Sequence, residues 1–445
     1  MHRIVDVVEE RSARGIAAAV SRLITTGEFK PGERLPTVRA LARELRISPS
    51  TVSEAWQTLA ALGAIESRGK LGTFVLDGAG ARGPSRFRRI TEGPGHFRLD
   101  LSTGTPDPEL LPDLRPALAR VGSRALTHSY LEDPVLPALE ELLAATWPFA
   151  PQALTVVNGA LDALDRVASH VVRFGDAVAV ENPCFAPLVD LLEQLGARLV
   201  PLDLDAEGIV AASLEAALAH KPVALFLQPR AHNPTGISMS RRRAKALAAV
   251  LRGVDLTIVE DDHAGDICEA PDVSLGVHMP ERTVHIRSYS KSHGPDLRIA
   301  AVGGRRDVID AVVARRLLGA GWTSRLVQSL LVELLSDPAS VDAVAAARDA
   351  YARRRAALRA ALAERGVRST LGDGINLWVE VASERSALLM LAALGIGVAP
   401  GAPFIVAPLD GEHIRVTFAE VRDGEDELAD HLARAADRRP PLHRV

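Results

Sequence analysis

With 445 residues, 47% of them hydrophobic, and a net charge of −4, the chain is too apolar to be disordered and long enough for two or more globular cores. Its first residues, MHRIVDVVEERSARG, mix charges where a secretory leader needs an apolar run. No stretch reaches membrane-spanning length, and two isolated cysteines, Cys184 and Cys268, fit a reducing cytoplasm rather than a disulfide framework or a cysteine metal site. Charge is uneven, with 16 Lys and Arg against 10 Asp and Glu through Arg98 and 36 against 46 thereafter; a basic front suggests a polyanionic partner, although four arginines in one connecting stretch supply much of the excess.

From Ser12 to about Thr26 the apolar residues Ile16, Val20, Leu23 and Ile24 recur at helical spacing, and Gly27 with Pro31-Gly32 ends the helix. Thr37 is placed to cap a second helix, whose buried stripe is Val38, Leu41, Ala42 and Leu45, with Arg39 and Arg43 on other faces. A break at Ile47–Pro49 precedes a third helix from about Ser50, with Val52, Trp56 and Leu59 inward. After Gly63, the run IESRGKLGTFV reads as two short strands around a basic, Gly-punctuated tip. Two helices joined by a tight turn, followed by such a hairpin, make a winged helix-turn-helix over residues 1–78.

The motifs LPTVRALA, SPSTVSEAW and GKLGTFV resemble those of the GntR family of DNA-binding regulators. The start of a recognition helix lies nearest base edges and phosphates, so Ser48, Ser50, Thr51 and Ser53 are placed to donate hydrogen bonds to a double-stranded operator, with Arg39, Arg68 and Lys70 on the backbone. The family commonly has arginine where this chain has Pro49, and often another where it has Ser53. The strongest base-reading side chain is therefore missing.

Residues 79–97, rich in Gly, Pro and Arg with little periodicity, read as a flexible linker. From residue 98 to 445, short apolar strands alternate with Ala/Leu-rich helices, the pattern of an α/β fold with a mostly parallel sheet. AVAVENP, ALFLQPR, LTIVEDD and VHIRSYS are four such strands, each ending in polar residues, where ligand chemistry gathers in such folds. An acidic cluster at a strand end, Lys291 in a Ser-rich turn (SYSKSHGPDLR) and Arg298 seven residues on are the parts a pyridoxal phosphate site needs.

These motifs make the region resemble fold-type I aminotransferases, with a small C-terminal α/β subdomain from about residue 322. Joined to the front domain, the whole chain resembles the MocR subfamily of GntR-type regulators. The resemblance implies that Lys291 forms the imine, that Asn158, Gly159 and Ala160 cradle the phosphate with Ser288, Ser290 and Arg298, and that Phe185 stacks on the ring. It further implies that Asn233 in HNPTG bonds the phenolic oxygen and Asp261 the ring nitrogen, with Asp262 turned the other way by strand alternation. Arg415 in HIRVTFAE matches the arginine that clamps a substrate carboxylate, and Tyr130 is placed to reach a partner subunit's phosphate in a homodimer.

Some residues depart from the pattern. His263 stands where the subfamily usually has a tyrosine that donates to the phenolic oxygen, and an imidazole there predicts pH sensitivity near neutrality. The glycine and arginine expected after Tyr130, and the arginine-glycine pair expected before the phosphate turn, are absent. The resemblance thus implies a cytoplasmic regulator that binds pyridoxal phosphate, holds no metal and senses a small amino compound through aldimine formation. A working aminotransferase with an appended DNA-binding module, and a DNA-binding protein that has lost its coenzyme, are the competing readings.

Overall fold

The apolar stripes of the first eighty residues close on one another. In the computed structural model, the described residues are all except 1, 9, 31, 62–63, 68, 70–71, 76–84, 92–96, 122–132 and 437–445. They form two compact units. The first comprises residues 1–85 with the short stretches Val172–Ala177 and Asp190–Arg198, and the second holds the rest.

The front begins with helices α1 (His2–Val7), α2 (Ala13–Thr25), α3 (Val38–Leu45) and α4 (Pro49–Ala61), followed by strands β1 (Ile65–Ser67) and β2 (Thr73–Val75). Ser12 caps α2 by accepting from the Gly15 amide at 3.0 Å, and Thr37 caps α3 by accepting from Ala40 at 3.3 Å. Arg46 adopts the left-handed conformation at φ 54° and stops α3, so the chain turns sharply before α4. Ile16, Val20, Leu23, Leu41, Leu45, Val52 and Leu59 are buried in one core, each contributing roughly 1.5–3 kcal/mol by leaving water. Val38, expected in the same stripe, is half-buried at its edge. β1 and β2 pair antiparallel, Ile65 against Val75, and make the wing.

In the connecting segment, where sequence suggested a flexible tether throughout, residues Ser85–Thr91 form a further helix, α5. Its anchors are tertiary: Arg86 Nη1 donates to the carbonyls of Pro403 and Ile405 at 3.1 and 2.8 Å, and Ile90 is buried against Trp378, Ala399 and Phe404. No local periodicity announces partners so distant in the chain.

The second unit carries β3 (Leu99–Leu101), β4 (Ala153–Val157), β5 (Ala177–Asn182), β6 (Arg198–Asp205), β7 (Gly208–Ile209), β8 (Ala224–Leu227), β9 (Thr257–Asp262), β10 (Thr283–Ser288), β11 (Ala300–Gly304), β12 (Asn376–Val381), β13 (Ile396–Pro400) and β14 (Glu412–Thr417). Eight of these form one mixed sheet in the order β4-β11-β10-β9-β8-β5-β6-β7. Its centre, β10 through β8 to β5, is parallel, whereas β11 runs antiparallel to both neighbours. The central strands are buried on both faces, which is why they read as unbroken apolar runs ending in polar residues.

A second sheet has the order β12-β14-β13-β3 and packs on the long helix Pro338–Glu364 through Leu358, Leu362, Leu377, Val379 and Val416. β3, at the start of the large domain, pairs in parallel with β13 near its end. The smaller sheet is thus built from both ends of this unit, not only from residues beyond 322.

Candidate coenzyme site and nucleic-acid face

Strand register assembles the first part of the site. Asp261 lies opposite Ile286 on β10, and Leu227 on β8 lies opposite Glu260, so the residues following these strands emerge along one edge. Asp261 is 2% exposed, its Oδ2 accepts from Gln228 Nε2 at 2.8 Å, and its Oδ1 is buried without a partner among the described residues. Burial, partly offset by the Gln228 bond, raises its pKa to about 6. Such an orphaned oxygen fits the protonated nitrogen of a pyridine ring. Gln228 also accepts the Asn233 amide on its Oε1 at 2.7 Å, so one side chain fixes both Asp261 and the start of the HNPTG loop.

The phosphate residues are aligned by the same sheet. Ser288 pairs with Ala300, and Ala300 with Val157, which brings the turn after β4 level with the end of β10. Gly159 has φ +95°, and a Cβ placed on it would meet the Arg298 guanidinium carbon at 3.3 Å. A side chain there would fill the space that an anion needs. Ala160 opens the helix Ala160–Val171, whose N-terminus favours negative charge, and the Ser288 and Ser290 hydroxyls lie 3.0 Å apart.

Phe185, Asn233, Lys291 and Arg415 line one cavity of about 390 Å³, together with Phe87, Ile90, Asp100, Gly104 and Phe404 among others. The Lys291 Nζ donates to the Gly104 carbonyl. Burial and then the Arg415 cation lower its pKa to about 8, while Asp261 opposes the shift. Arg415 is 3% exposed; it donates from Nη1 to Asn233 Oδ1 at 3.1 Å and from Nη2 to the Ser102 carbonyl, and its Nε is buried without a partner among the described residues. An unpaired guanidinium N–H suits an incoming carboxylate. Asn233 Oδ1 accepts from Arg415, which leaves the side chain's Nδ2 as the group that can donate to a ligand.

His263 differs from expectation. Its Nε2 lies 2.8 Å from the Ala231 carbonyl, which only accepts, so that N–H is committed to the backbone and not to a coenzyme oxygen. Burial and then the Lys291 cation lower its pKa to about 4, which moves its titration well below the neutral range that its residue type suggested.

On the front unit, Arg39, Ser48 and Ser50 are exposed, and Thr51 and Ser53 are half-buried on the first turns of α4. Ser48 does more than face outward: its Oγ accepts from the Thr51 amide at 3.2 Å and lies 2.6 Å from Ser50 Oγ, so it caps α4 with Pro49 in the first turn. Arg68, Lys70 and Tyr130 lie outside the described residues.

Sequence reasoning missed Gln228, Gly104, Phe404 and the α5 residues Phe87 and Ile90. The rule that polar strand ends gather at the ligand edge applies to Gln228 in ALFLQPR and was a usable signal. The others arrive through tertiary packing.

Residues 98–433 match the family described as aminotransferase class I and II, and residues 12–75 match the bacterial regulatory proteins of the gntR family. The chain is 34% identical to the vitamin B6 salvage pathway transcriptional repressor PtsJ of Salmonella typhimurium, over 97% of this chain and all of that protein. It is 28% identical to the HTH-type transcriptional regulator TauR of Rhodobacter capsulatus, over 86% of this chain and 88% of the relative. Among solved structures, it is similar to LysN, an alpha-aminoadipate aminotransferase of Thermus thermophilus complexed with N-(5'-phosphopyridoxyl)-L-leucine. That likeness has a TM-score of 0.71 and 25% identity, covering 81% of this chain and 96% of LysN.

Proposed function

Because the chain belongs to the aminotransferase class I and II family and opens with a gntR-family regulatory domain, we propose that it is a transcriptional regulator that reads an amino compound at a pyridoxal phosphate site. The observation that carries this reading is the unpartnered Oδ1 of buried Asp261, in a unit whose Lys291 and Arg415 share one cavity. When bound, pyridoxal phosphate supplies an aldehyde that condenses with amines and a ring that withdraws electrons.

Asp261 holds the proton of the ring nitrogen, and Asn233 Nδ2 donates to the phenolic oxygen. Gly159, Ala160, Ser288, Ser290 and Arg298 bind the phosphate, while Phe185 stacks on the ring. Lys291, with its lowered pKa, loses its proton readily and is a competent amine nucleophile. Arg415 receives the carboxylate of an amino-acid effector on its orphaned Nε. His263, its N–H given to Ala231, props the HNPTG loop from the side.

The α4 hydroxyls of Ser48, Ser50, Thr51 and Ser53 meet the operator, with Arg39, Arg68 and Lys70 on phosphates, and the protein works on DNA in the cytoplasm as a homodimer. The exposed Leu317 and Leu318, 61% and 80% accessible, support self-association. Coupling requires that the effector bind one arrangement of the protein more tightly than another.

A second reading, that the coenzyme itself is the signal, is favoured by the vitamin B6 role in the name of the Salmonella relative. One experiment separates the readings. Retention of DNA flanking the protein's own gene is measured without coenzyme, with it, and with it plus a panel of amino donors. A change that needs an amino donor supports the first reading, and a change with coenzyme alone the second. Coenzyme absorbance that is the same in Lys291→Ala contradicts both. In the same assay Arg39→Ala is expected to weaken retention and to lower the salt slope by about 1, with coenzyme absorbance intact.

A further inference from the structure

The cavity that holds Lys291 and Arg415 has a wall from an unexpected source, the helix α5 of the connecting segment. Phe87 and Ile90 stand three residues apart on α5, on one helical face, and both line the cavity. Arg86 pins the helix to the carbonyls of Pro403 and Ile405, and Ile90, 7% exposed, is wedged against Trp378 and Phe404. Arg86 itself is not part of the lining.

The lining divides by chemistry. Lys291, Asn233 and Arg415 are accounted for by an amine, a coenzyme oxygen and a carboxylate. What remains for the third substituent of an amino acid is chiefly Phe87, Ile90, Pro187 and Phe404, a set without charge. Among the described residues, the one carboxylate in the lining, Asp100, accepts from the Ser102 amide and hydroxyl at 2.9 and 2.6 Å, and its negative charge disfavours a second carboxylate on the ligand.

We propose that α5 is the specificity wall of the effector cavity, that Phe87 and Ile90 are its specificity-determining residues, and that the effector is an amino acid with an uncharged, apolar side chain. This rests on the reading that the cavity holds pyridoxal phosphate and an amino compound. Residues 76–84 join the wing strand β2 to α5, so a ligand that touches α5 acts on the segment covalently tied to the DNA-binding unit. Differential contact with α5 is then the means by which occupancy favours one arrangement.

The test uses the full-length chain, purified without coenzyme, and three stable probes: the phosphopyridoxyl adducts of L-leucine, glycine and L-aspartate. The wild-type chain is expected to bind the leucine adduct more tightly than the aspartate adduct. Phe87→Ala, at a position 41% exposed and therefore safe for folding, is expected to weaken the leucine adduct roughly tenfold more than the glycine adduct, the scale of losing an apolar side-chain contact. Arg86→Ala is expected to do the same although it does not line the cavity, because it releases the helix. A leucine-to-glycine preference equal to wild type in both variants overturns the proposal, as does tighter binding of the aspartate adduct by the wild-type chain. If no adduct binds the wild-type chain, the coenzyme reading falls as well, so the two failures are distinguishable.

Discussion

Glu260 and Asp262 project from one face of β9 and Asp261 from the other, and the two faces treat a carboxylate in contrary ways. On the first face every acid is matched. Glu260 accepts from Ser274 Oγ and the Leu275 amide at 2.6 Å each and lies 2.8 Å from His285 Nδ1, while Asp262 pairs with the buried guanidinium of Arg230. Asp272 comes near enough to Asp262 and His285 for the three to resemble a metal-ligand cluster, but Arg230 and Arg287 already answer the two aspartates. On the second face Asp261 keeps one oxygen unanswered. The lesson is that three consecutive acids are in two different settings: a saturated network within the sheet, and an incomplete one that keeps an acceptor open, as the proposed coenzyme role requires.

The comparison makes unequal predictions for the two faces. The largest effect is expected for Asp262→Ala, which takes from the buried Arg230 its close partner and leaves it only Asp272 at 3.9 Å, and should cost about 3–5 kcal/mol in chemical unfolding of the coenzyme-free protein. A loss near that of a surface ion pair would mean that the first face is not the structural one. Asp261→Asn should behave oppositely, leaving coenzyme-free stability equal or higher because an isolated buried charge is removed. Its coenzyme affinity should fall roughly ten- to a hundredfold, the equivalent of about 1.5–3 kcal/mol for a hydrogen bond to a charged group. Equilibrium titration followed by coenzyme absorbance measures this, and undiminished affinity would break the contrast.

The smallest effect is one of pH. Since Lys291 has its pKa lowered to about 8, its amine is protonated below that value, and the rate of coenzyme capture should climb up to about tenfold per pH unit towards it and level off above. The sign for stability follows from the same shift. Between the folded value and the ordinary 10.5 the unfolded chain binds more protons, so this group makes the coenzyme-free protein more stable as pH rises through that window and is neutral in effect above it. Stopped-flow capture that is flat with pH below about 8 would remove Lys291 from the role of nucleophile.

Much of the site was legible because its residues lie at places with a local signature. Asp261 ends an apolar strand, Lys291 sits in a Ser-rich turn, Asn233 belongs to HNPTG, and the front unit's caps and stripes follow helical periodicity. His263 was legible as a residue but not in its role, because the accepting carbonyl of Ala231 comes from a loop 32 residues earlier in the chain. Gln228 has a signature too weak to stand out from the other polar strand ends.

The amino-acid order alone determined the two-part architecture, the strand and helix alternation, and the set of ionisable groups available for chemistry, since these depend on short-range periodicity and residue type. Tertiary structure decided which acid on β9 stays unpaired, where the His263 proton goes, that β3 closes a sheet made mostly of C-terminal strands, and that α5 walls the cavity. Each of these depends on partners far apart in the chain, whose meeting is set by packing and register and leaves no trace in a local window.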